Sequence, residues 1–345
     1  MKMPWVMPAE TSRHERTWMA FPPQGPTMGE TVEAVDDARR TWAAVAHSVL
    51  QFEPVTMVVD PSDVDVATRY LSREIEVLVE PLNDAWMRDI GLTFVLGADG
   101  LLGGVDWTFN GWGQQEWAAW DLDSRIGAAM VEASGCVPVS SPMVNEGGGI
   151  HVDGLGTVLL TETVQLDPGR NPGLAKADVE AELARTIGAT HVVWLRRGLT
   201  RDSQKYGTRG HVDILATIPT PGTALVHDQR SQGHPDHAIT AELLETLAAS
   251  MDARGEPFDV RRLPAPATLR DPEGFVDYSY VNHLAVNDGV VACSFDDPVD
   301  AEARELLAEA YPGREVVTVD ARPIFARGGG IHCITQQQPV SGERP

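Results

Sequence analysis

Short apolar segments alternate along the whole chain with longer segments whose apolar residues recur at helical spacing. The short segments are rich in valine and other β-branched residues, which favour buried or half-buried strands. Strands are predicted at residues 55–59, 92–96, 157–161, 191–195, 213–218, 224–227, 290–294 and 316–319. Helices are predicted at residues 30–50, 64–71, 116–132, 176–187, 238–253 and 298–310. The interleaving of the two kinds of segment predicts mixed α/β layers.

The last predicted helix has the clearest start. Asp297 is a favourable N-cap residue, and Pro298 suits the first helical position, where no backbone N–H is needed. No Ser-rich or Pro-rich stretch between the predicted elements is long enough to mark a domain boundary. We therefore expect one domain that spans residues 1–345.

The pentapeptide Gly-Gly-Gly-Ile-His occurs at residues 147–151 and again at 328–332. The first copy follows Glu146, and the second precedes Cys333. Between them, Gly-His-Val-Asp at 210–213 echoes the Ile-His-Val-Asp that closes the first copy. Repeated glycine-rich turns at strand ends predict several similar modules around a centre, with the turns pointing inward. Two copies that bring a carboxylate and a thiol to one site indicate an enzyme.

The chain is strongly acidic, with 27 basic and 50 acidic residues and a formal charge of −23. This charge repels nucleic acid and anionic membranes and attracts small cations. We therefore expect a cationic substrate and neither a nucleic-acid nor a membrane partner. The same acidity would also serve solubility alone, because net charge does not specify function. A monomer and a homodimer fit the sequence equally.

The sequence also bears on the compartment. The first eight residues lack the basic start and apolar stretch of a signal peptide, and no apolar run approaches the ~18 residues that span a bilayer. Three cysteines, Cys136, Cys293 and Cys333, are too few for a complete disulfide framework and show no metal-type spacing. We expect a cytoplasmic protein without a membrane anchor.

Cys333 is the strongest candidate for a nucleophile. It follows three glycines and a histidine, and glycines allow the backbone to approach a ligand closely. A free cysteine is more often a small buried hydrophobic residue. We favour that interpretation for Cys136 and Cys293, which lie in apolar surroundings, but not for Cys333.

A cysteine nucleophile needs a nearby base or cation and a third group that orients it. His211 and Glu146 are the candidates for these two roles. A lone histidine at the start of a strand is more often structural, but Asp213 lies two residues further along. Alternate residues of a strand point to the same face. His211 and Asp213 should therefore reach one pocket.

Residues 83–89 combine two acids, an arginine and a tryptophan. One interpretation is a solvated turn in which Arg88 pairs with an acid. The other is a site for a planar cation, with Asp89 as the carboxylate and Trp86 as an apolar or cation–π wall. A guanidinium group carries five donors in one plane, and carboxylates on different turns can bind two of its edges. Asp89 and Asp213 are the candidates for those carboxylates.

An ordered set of motifs extends over nearly the whole chain. The set comprises Met7-Pro8-Ala9-Glu10, His14-Glu15, residues 83–89, Gly104-Val105-Asp106-Trp107, Glu146-Gly147-Gly148, Arg170-Asn171-Pro172, Gly210-His211-Val212-Asp213 and residues 328–339. With this set the chain resembles the agmatine deiminase family, which is related to bacterial peptidyl-arginine deiminases. The resemblance implies the pentein fold, a five-bladed α/β propeller of ββαβ modules around a central channel.

The resemblance also implies roles for the candidate residues. Cys333 would be the nucleophile, His211 the general acid and base, and Glu146 its polar partner. Asp89 and Asp213 would hold the guanidinium group. No metal or organic cofactor is implied.

The implied reaction is hydrolysis of agmatine to N-carbamoylputrescine and ammonia through a covalent amidino-thioether, a step of putrescine biosynthesis. For the far end of the substrate, the resemblance suggests Glu10, Trp86 or Trp107.

Four positions depart from the family pattern. Family members commonly carry asparagine where this chain has Arg209, Ile214 and Gly330, and serine where it has Gly149. These departures leave the substrate open between agmatine, another guanidino compound and an arginine residue of a peptide.

Two further alternatives remain from the residues themselves. One is a metal-dependent hydrolase that uses His151, Asp153, His211 and Asp213 as ligands. The other is a guanidine-binding protein that has lost catalysis.

Overall fold

The computed structural model describes residues 5–342, which form nineteen strands. They are β1 (Trp5–Val6), β2 (His14–Ala20), β3 (Val55–Val59), β4 (Glu76–Val79), β5 (Thr93–Gly97), β6 (Leu102–Thr108), β7 (Val137–Val144), β8 (Ile150–Val152), β9 (Thr157–Thr161), β10 (His191–Leu195), β11 (Ala216–Thr220), β12 (Thr223–Asp228), β13 (Asp259–Pro264), β14 (Arg270–Asp271), β15 (Gly274–Phe275), β16 (Leu284–Val286), β17 (Gly289–Ser294), β18 (Glu315–Asp320) and β19 (Thr335–Pro339).

The same part of the chain forms ten α-helices. They are α1 (Val32–Val49), α2 (Val64–Ala67), α3 (Met87–Ile90), α4 (Gly111–Gln114), α5 (Ile126–Ser134), α6 (Glu162–Gln165), α7 (Lys176–Ile187), α8 (Asp236–Ala248), α9 (Asp300–Ala310) and α10 (Arg322–Phe325). Short 3-10 helices occur at Asp123–Arg125, Gly147–Gly149, Arg201–Ser203 and Val212–Ile214.

Five sheets repeat one connection pattern. Each has an antiparallel pair of strands, then a helix, then a strand parallel to the second member of the pair. The five modules are β5-β6-α5-β7, β8-β9-α7-β10, β11-β12-α8-β13, β16-β17-α9-β18 and β19-β2-α1-β3. The last module joins the two ends of the chain, because β19 pairs with β2. The architecture is mixed α/β, as the interleaved segments predict.

A turn precedes the first strand of every module, and we call these five segments the leading turns. In chain order they carry Asp89, Glu146, Asp213, Asn282 and Cys333, and all five of these residues are buried. The three glycines of each Gly-Gly-Gly-Ile-His copy lie in the leading turn of a module, and in the first copy Ile150 and His151 already belong to β8. The sequence repeat is therefore a repeat of structural position.

Most strand predictions are confirmed. The strands at 55–59, 157–161 and 191–195 have the predicted bounds, and those predicted at 92–96, 224–227, 290–294 and 316–319 differ by one residue at one or both ends. All of them are strands of the five modules, and β3, β5 and β9 are buried along their whole length.

The strand predicted at 213–218 is wrong at its start. Val212–Ile214 is a 3-10 turn, closed by the Leu215 N–H bonding to the Val212 carbonyl at 2.8 Å, and the strand begins at Ala216. Val212, Ile214 and Leu215 are buried in the core. A short apolar run does not distinguish a buried turn from a buried strand.

Among the helices, 176–187 is confirmed with its bounds, while 30–50 and 238–253 are each shorter than predicted. The helix predicted at 64–71 ends at Ala67. The one predicted at 116–132 begins only at Ile126, after a 3-10 turn. Residues 116–122 are not helical, and there Trp117 stacks on Trp112 at 5.2 Å between ring centroids. A packing partner outside the segment overrides helical spacing.

The start predicted for the last helix is also wrong. Helix α9 begins at Asp300, and Val299 is its N-cap residue. The Asp297 carboxylate does accept the Val299 N–H at 2.9 Å, but it also accepts the N–H groups of Ala267 and Thr268 at 3.0 and 2.8 Å. Asp297 therefore ties two loops together rather than capping a helix that starts at residue 298.

Cys136 and Cys293 are buried in the main hydrophobic cluster, in keeping with the structural interpretation. The Cys293 thiol donates to the backbone carbonyl of Asn282 at 3.0 Å, and burial raises the pKa of Cys293 to about 12. Across residues 5–342, no helix combines the length and apolar character needed to cross a membrane.

Candidate active site

The five leading turns bring their polar side chains to one buried site. Cys333 Sγ lies 3.3 Å from Asp213 Oδ2 and 3.2 Å from Asn282 Nδ2, so two other leading turns contact the thiol directly. Asp89 and Glu146 both contact His211, at 3.8 and 3.1 Å. Residues far apart in the sequence therefore share one site because their modules converge.

Gly148 marks the centre of this arrangement. A Cβ atom at residue 148 would lie 2.5 Å from His211 Nδ1, 3.0 Å from Asp213 Oδ2 and 3.1 Å from Asp89 Oδ1. The first contact is closer than a carbon atom tolerates, and the other two are shorter than ordinary van der Waals contacts. Glycine at this position thus leaves one imidazole nitrogen and two carboxylates facing the same space.

His211 has one nitrogen engaged and one free. Nε2 bonds to Glu146 Oε2 at 3.1 Å, whereas Nδ1 has no hydrogen-bonding partner among residues 5–342. Burial opposes charge on the imidazole, but the carboxylates of Asp89, Glu146 and Asp213 outweigh it and raise the pKa of His211 to about 9. The residue is a cation at neutral pH with a proton available at Nδ1.

Glu146 is an ionised carboxylate despite complete burial. Burial raises its pKa, but the Arg170 guanidinium and His211 overcome this and lower the pKa of Glu146 to about 2. Arg170 Nε lies 3.0 Å from both Glu146 oxygens, and its Nη2 donates to the Thr208 carbonyl at 2.7 Å. Arg170 therefore supplies the countercharge that keeps Glu146 ionised beside His211.

Asp89 receives donors on both oxygens. Trp112 Nε1 donates to Oδ2 at 2.9 Å, and the Gly148 N–H donates to Oδ1 at 3.1 Å. Burial raises the pKa of Asp89 to about 6, although the charge of His211 acts in the opposite direction. Asp89 is thus held in a fixed orientation and is ionised above that pH.

Asp213 has one occupied and one free oxygen. Oδ2 accepts from His332 Nδ1 at 2.9 Å and from the Cys333 thiol at 3.3 Å, whereas Oδ1 is buried with no hydrogen-bonding partner in the described chain. Burial acts against ionisation, but His332 lowers the pKa of Asp213 below its ordinary value. A buried, ionised oxygen without a donor is suited to a cationic ligand.

Cys333 is a poor thiolate by itself. Burial and then the charges of Asp213 and Asp89 raise the pKa of the thiol well above its ordinary value. A cation between these carboxylates would cancel the second effect, because negative charge nearby disfavours a thiolate.

Trp86 lies beside Cys333. A Cβ atom at Gly329 would be 2.7 Å from Trp86 Cζ3 and 3.0 Å from Cys333 Sγ, so the two side chains flank one glycine. The Trp86 ring packs edge-on against Trp42 with centroids 5.6 Å apart. Trp107, in contrast, is buried in the second hydrophobic cluster, and its Nε1 donates to Thr93 at 2.9 Å.

The structure adds four residues that the sequence reasoning did not single out. They are Asn282, His332, Arg170 and Trp112. His332 was visible as the last residue of the repeated pentapeptide, and Arg170 as part of a motif. Asn282 stands between Val281 and His283, and nothing in that segment singled it out. Trp112 had no sequence signal.

The ligand set of the metal-dependent alternative does not come together. Within residues 5–342, the group of histidine, cysteine and acidic residues with donor atoms inside 4.8 Å is Glu10, His151 and His332. Arg88 Nη1, 3.6 Å from Glu10 Oε1, already supplies a cation there. The Asp153 carboxylate instead accepts N–H groups within its own turn.

Comparison with known proteins gives one consistent picture. The model of the Porphyromonas-type peptidyl-arginine deiminase family matches residues 6–339. A putative agmatine deiminase of Streptomyces coelicolor is 51% identical over 98% of this chain and 99% of its own, and an agmatine deiminase of Pseudomonas putida is 37% identical over 98% and 96%. The structure of an Enterococcus faecalis agmatine deiminase superposes with a TM-score of 0.91 at 32% identity, covering 97% of this chain and 96% of that one.

Proposed function

The chain belongs to the Porphyromonas-type peptidyl-arginine deiminase family, and we propose that it hydrolyses agmatine to N-carbamoylputrescine and ammonia. The observation that carries the proposal is the convergence on one buried space of the Cys333 thiol, the free nitrogen of His211 and the carboxylates of Asp89 and Asp213. This set combines a nucleophile, a proton donor and two anions that fit a guanidinium group.

In the proposed first half-reaction, Asp89 and Asp213 bind the guanidinium group and keep it charged. The Cys333 thiolate attacks the central carbon and forms a C–S bond. His211 then donates its Nδ1 proton to one amino group, the C–N bond breaks, and ammonia leaves. An amidino-thioether cation remains on Cys333. Orientation of the two reactants could supply several of the ~7–11 kcal/mol available from placement alone.

In the second half-reaction, neutral His211 takes a proton from water as the water oxygen attacks the same carbon. The C–S bond breaks, the thiolate of Cys333 is restored, and the ureido product is released with the proton of the added oxygen passing to solvent. The net change is addition of one water and release of one ammonia. His211 therefore serves both steps.

His332 is less suited to this role than His211, although it is adjacent to Cys333. Both ring nitrogens of His332 bond to carboxylates, Nδ1 to Asp213 at 2.9 Å and Nε2 to Glu10 at 2.7 Å. Proton transfer through either nitrogen would break one of these bonds. The free Nδ1 of His211 has no such cost.

A small free guanidine fits better than an arginine residue of a protein chain. Cys333, His211, Asp89 and Asp213 are each at most 5% exposed. A polypeptide carries bulk on both sides of its arginine, whereas agmatine is a single unbranched chain. The names of the relatives favour the same substrate.

Arg209 does not argue against an amine-bearing substrate. Its Nη1 pairs with Asp167 at 2.6 Å and points to the Gly113 carbonyl at 3.4 Å. The positive charge is therefore compensated, and Arg209 acts as a bridge between loops.

The other departures from the family pattern also contact protein. A Cβ atom at Gly149 would meet only neighbouring protein side chains at 3.3 Å, and Ile214 is buried in the core. A Cβ atom at Gly330 would lie 2.4 Å from Asn282 Oδ1 and 2.8 Å from the Phe325 ring. These contacts are all with protein groups, so they favour local repacking over a change of substrate.

We also propose that the five modules are the blades of a pentein propeller with the site at its centre. Two observations support this arrangement. Each module contributes its leading turn to the same site, and the pairing of β19 with β2 joins the chain ends within one module. A cytoplasmic location is part of the proposal, because all three cysteines are free and buried.

The deciding experiment measures ammonia and ureido product from purified wild type and Cys333→Ala with agmatine, free arginine, guanidinobutyrate and an arginine peptide. We expect turnover of agmatine by wild type alone. Turnover of a different guanidine alone would keep the reaction and replace the substrate. Activity of Cys333→Ala near that of wild type would refute the nucleophile. Binding of agmatine by thermal shift without any turnover would favour the non-catalytic binding protein.

A further inference from the structure

Glu10 lies next to the site, in contact with His332, the residue that precedes Cys333. Its Oε1 bonds to His332 Nε2 at 2.7 Å, and Arg88 Nη1 and His151 Nδ1 lie 3.6 and 3.7 Å away. The residue is 8% exposed. Despite burial, the charges of His332 and its other neighbours lower the pKa of Glu10 well below its ordinary value. All three of these groups face Oε1, and His332 is the hydrogen-bonded partner of the Glu10 carboxylate.

His332 carries the effect of Glu10 towards the site. Each of its ring nitrogens faces a carboxylate, so each must donate a proton, which requires the imidazolium form. The backbone N–H of His332 also donates to Asn282 Oδ1 at 2.9 Å, and this bond fixes the backbone next to Cys333. The cation is therefore held between Glu10 and Asp213.

Asp213 is the end of this chain of contacts. Because His332 holds Oδ2, the plane of the carboxylate is fixed and Oδ1 remains free to face a ligand. We propose that Glu10 is a positioning residue that acts through His332 to hold Asp213 ionised and correctly oriented for the guanidinium group. This inference rests on the proposed function, because it assigns Asp213 to guanidinium binding.

Removal of the Glu10 charge has a defined consequence. In Glu10→Gln, the side chain keeps its length and an acceptor oxygen, but His332 loses the charge that stabilises its imidazolium form. A neutral His332 is a weaker donor to Asp213, and hydrogen bonds to charged groups contribute more than neutral ones. We expect guanidinium binding to weaken by about 10- to 100-fold, the range that loss of one charge-assisted bond gives.

The test compares two ligands that share a guanidinium group, namely agmatine and butylguanidine, which lacks the terminal amine. Affinity is measured by calorimetry in Cys333→Ala with and without Glu10→Gln, and kcat and KM are measured in the catalytic form. If Glu10 positions Asp213, both ligands lose affinity by the same factor. Loss for agmatine alone would show that Glu10 binds the amine and would overturn the inference, as would no loss for either.

A matched control and a double variant complete the design. Asp297→Asn makes the same acid-to-amide change at a carboxylate that is also 8% exposed, and it should leave both affinities unchanged. His332→Asn retains a short donor and cuts the link, so adding Glu10→Gln to it should cost almost nothing. Additive losses would contradict the link. If Glu10→Gln does not fold, His332→Asn alone tests the same loss for both ligands.

The calorimetric affinities also separate this inference from the proposed function, because they do not depend on turnover. Absence of ammonia release by wild type would refute deimination. Equal loss of both guanidines on Glu10→Gln would still support the contact chain, and unequal or absent loss would refute it whatever the turnover.

Discussion

Gly148→Ala adds one methyl group to the point where the groups of the site converge. The new carbon would lie 2.5 Å from His211 Nδ1, 3.0 Å from Asp213 Oδ2 and 3.1 Å from Asp89 Oδ1. Ordinary contacts between carbon and these atoms are about 3.5 Å. The imidazole must therefore move by about 1 Å, or the turn must move away from it.

Displacement of this size in a catalytic group costs about 100-fold in rate. That factor corresponds to about 2.7 kcal/mol of transition-state stabilisation. Overpacking also costs about 1–3 kcal/mol of folding free energy. We expect kcat/KM for agmatine to fall at least by this factor while the protein remains folded.

The assay measures ammonia release at several agmatine concentrations, with the melting temperature of each variant recorded in parallel. Gly233→Ala is the matched control, because the nearest atom to a Cβ there, outside the chain neighbours, is Ser231 Oγ at 3.9 Å. The control should keep full activity and stability.

Full activity of Gly148→Ala would refute the reasoning, since it would mean that His211, Asp89 and Asp213 do not face a shared substrate space. A loss of activity that merely follows unfolding would also contradict it. The informative outcome is a folded protein with reduced kcat/KM.

Three other predictions follow from the charges in the site and near it. The pH profile of kcat/KM should be bell-shaped, rising as Asp89 ionises near its pKa of about 6 and falling as His211 loses its proton near its pKa of about 9. A value of kcat/KM that stays constant between pH 5 and 10 would contradict both roles. Butylguanidine should lower the pKa of the Cys333 thiol, read from thiolate absorbance, because its charge offsets Asp213 and Asp89; an unchanged pKa would remove the coupling. Burial, then the charge of Asp202, raises the pKa of Asp277 to about 7. The folded state therefore keeps a proton that the unfolded state loses near pH 4, so the free energy of unfolding falls as the pH rises from about 4 to about 7. Asp277→Asn should therefore unfold at a higher temperature than wild type at pH 8 but not at pH 4, and an equal difference at both would refute this.

Elements within single modules were largely predictable from the sequence. The strand at residues 157–161 and the helix at 176–187 have the predicted bounds because their own apolar pattern decides them. The predictions failed where a contact from another part of the chain decides the conformation. Residues 116–122 are an example, since Trp117 stacks on Trp112 instead of continuing a helix.

For the site, the sequence indicated which residues could do chemistry but not which of their atoms contact one another. Cys333, His211, Glu146, Asp89 and Asp213 were proposed from motif and residue type, and the structure brings them together. The resemblance suggested Glu10 for the far end of the substrate, and no sequence pattern showed that its carboxylate bonds to His332. A motif identifies a residue, but it does not say which group that residue's side chain will bond to.

The sequence by itself determined that similar glycine-rich turns recur and that these turns carry a thiol, an imidazole and carboxylates. Only the tertiary structure decided which atoms meet. Cys333 and Asp213 are 120 residues apart in sequence and 3.3 Å apart in space, and Asn282 joins them from a third turn. Such contacts depend on how whole modules pack, which no local pattern of residues encodes. The free Nδ1 of His211 and the fully engaged ring of His332 differ for the same reason.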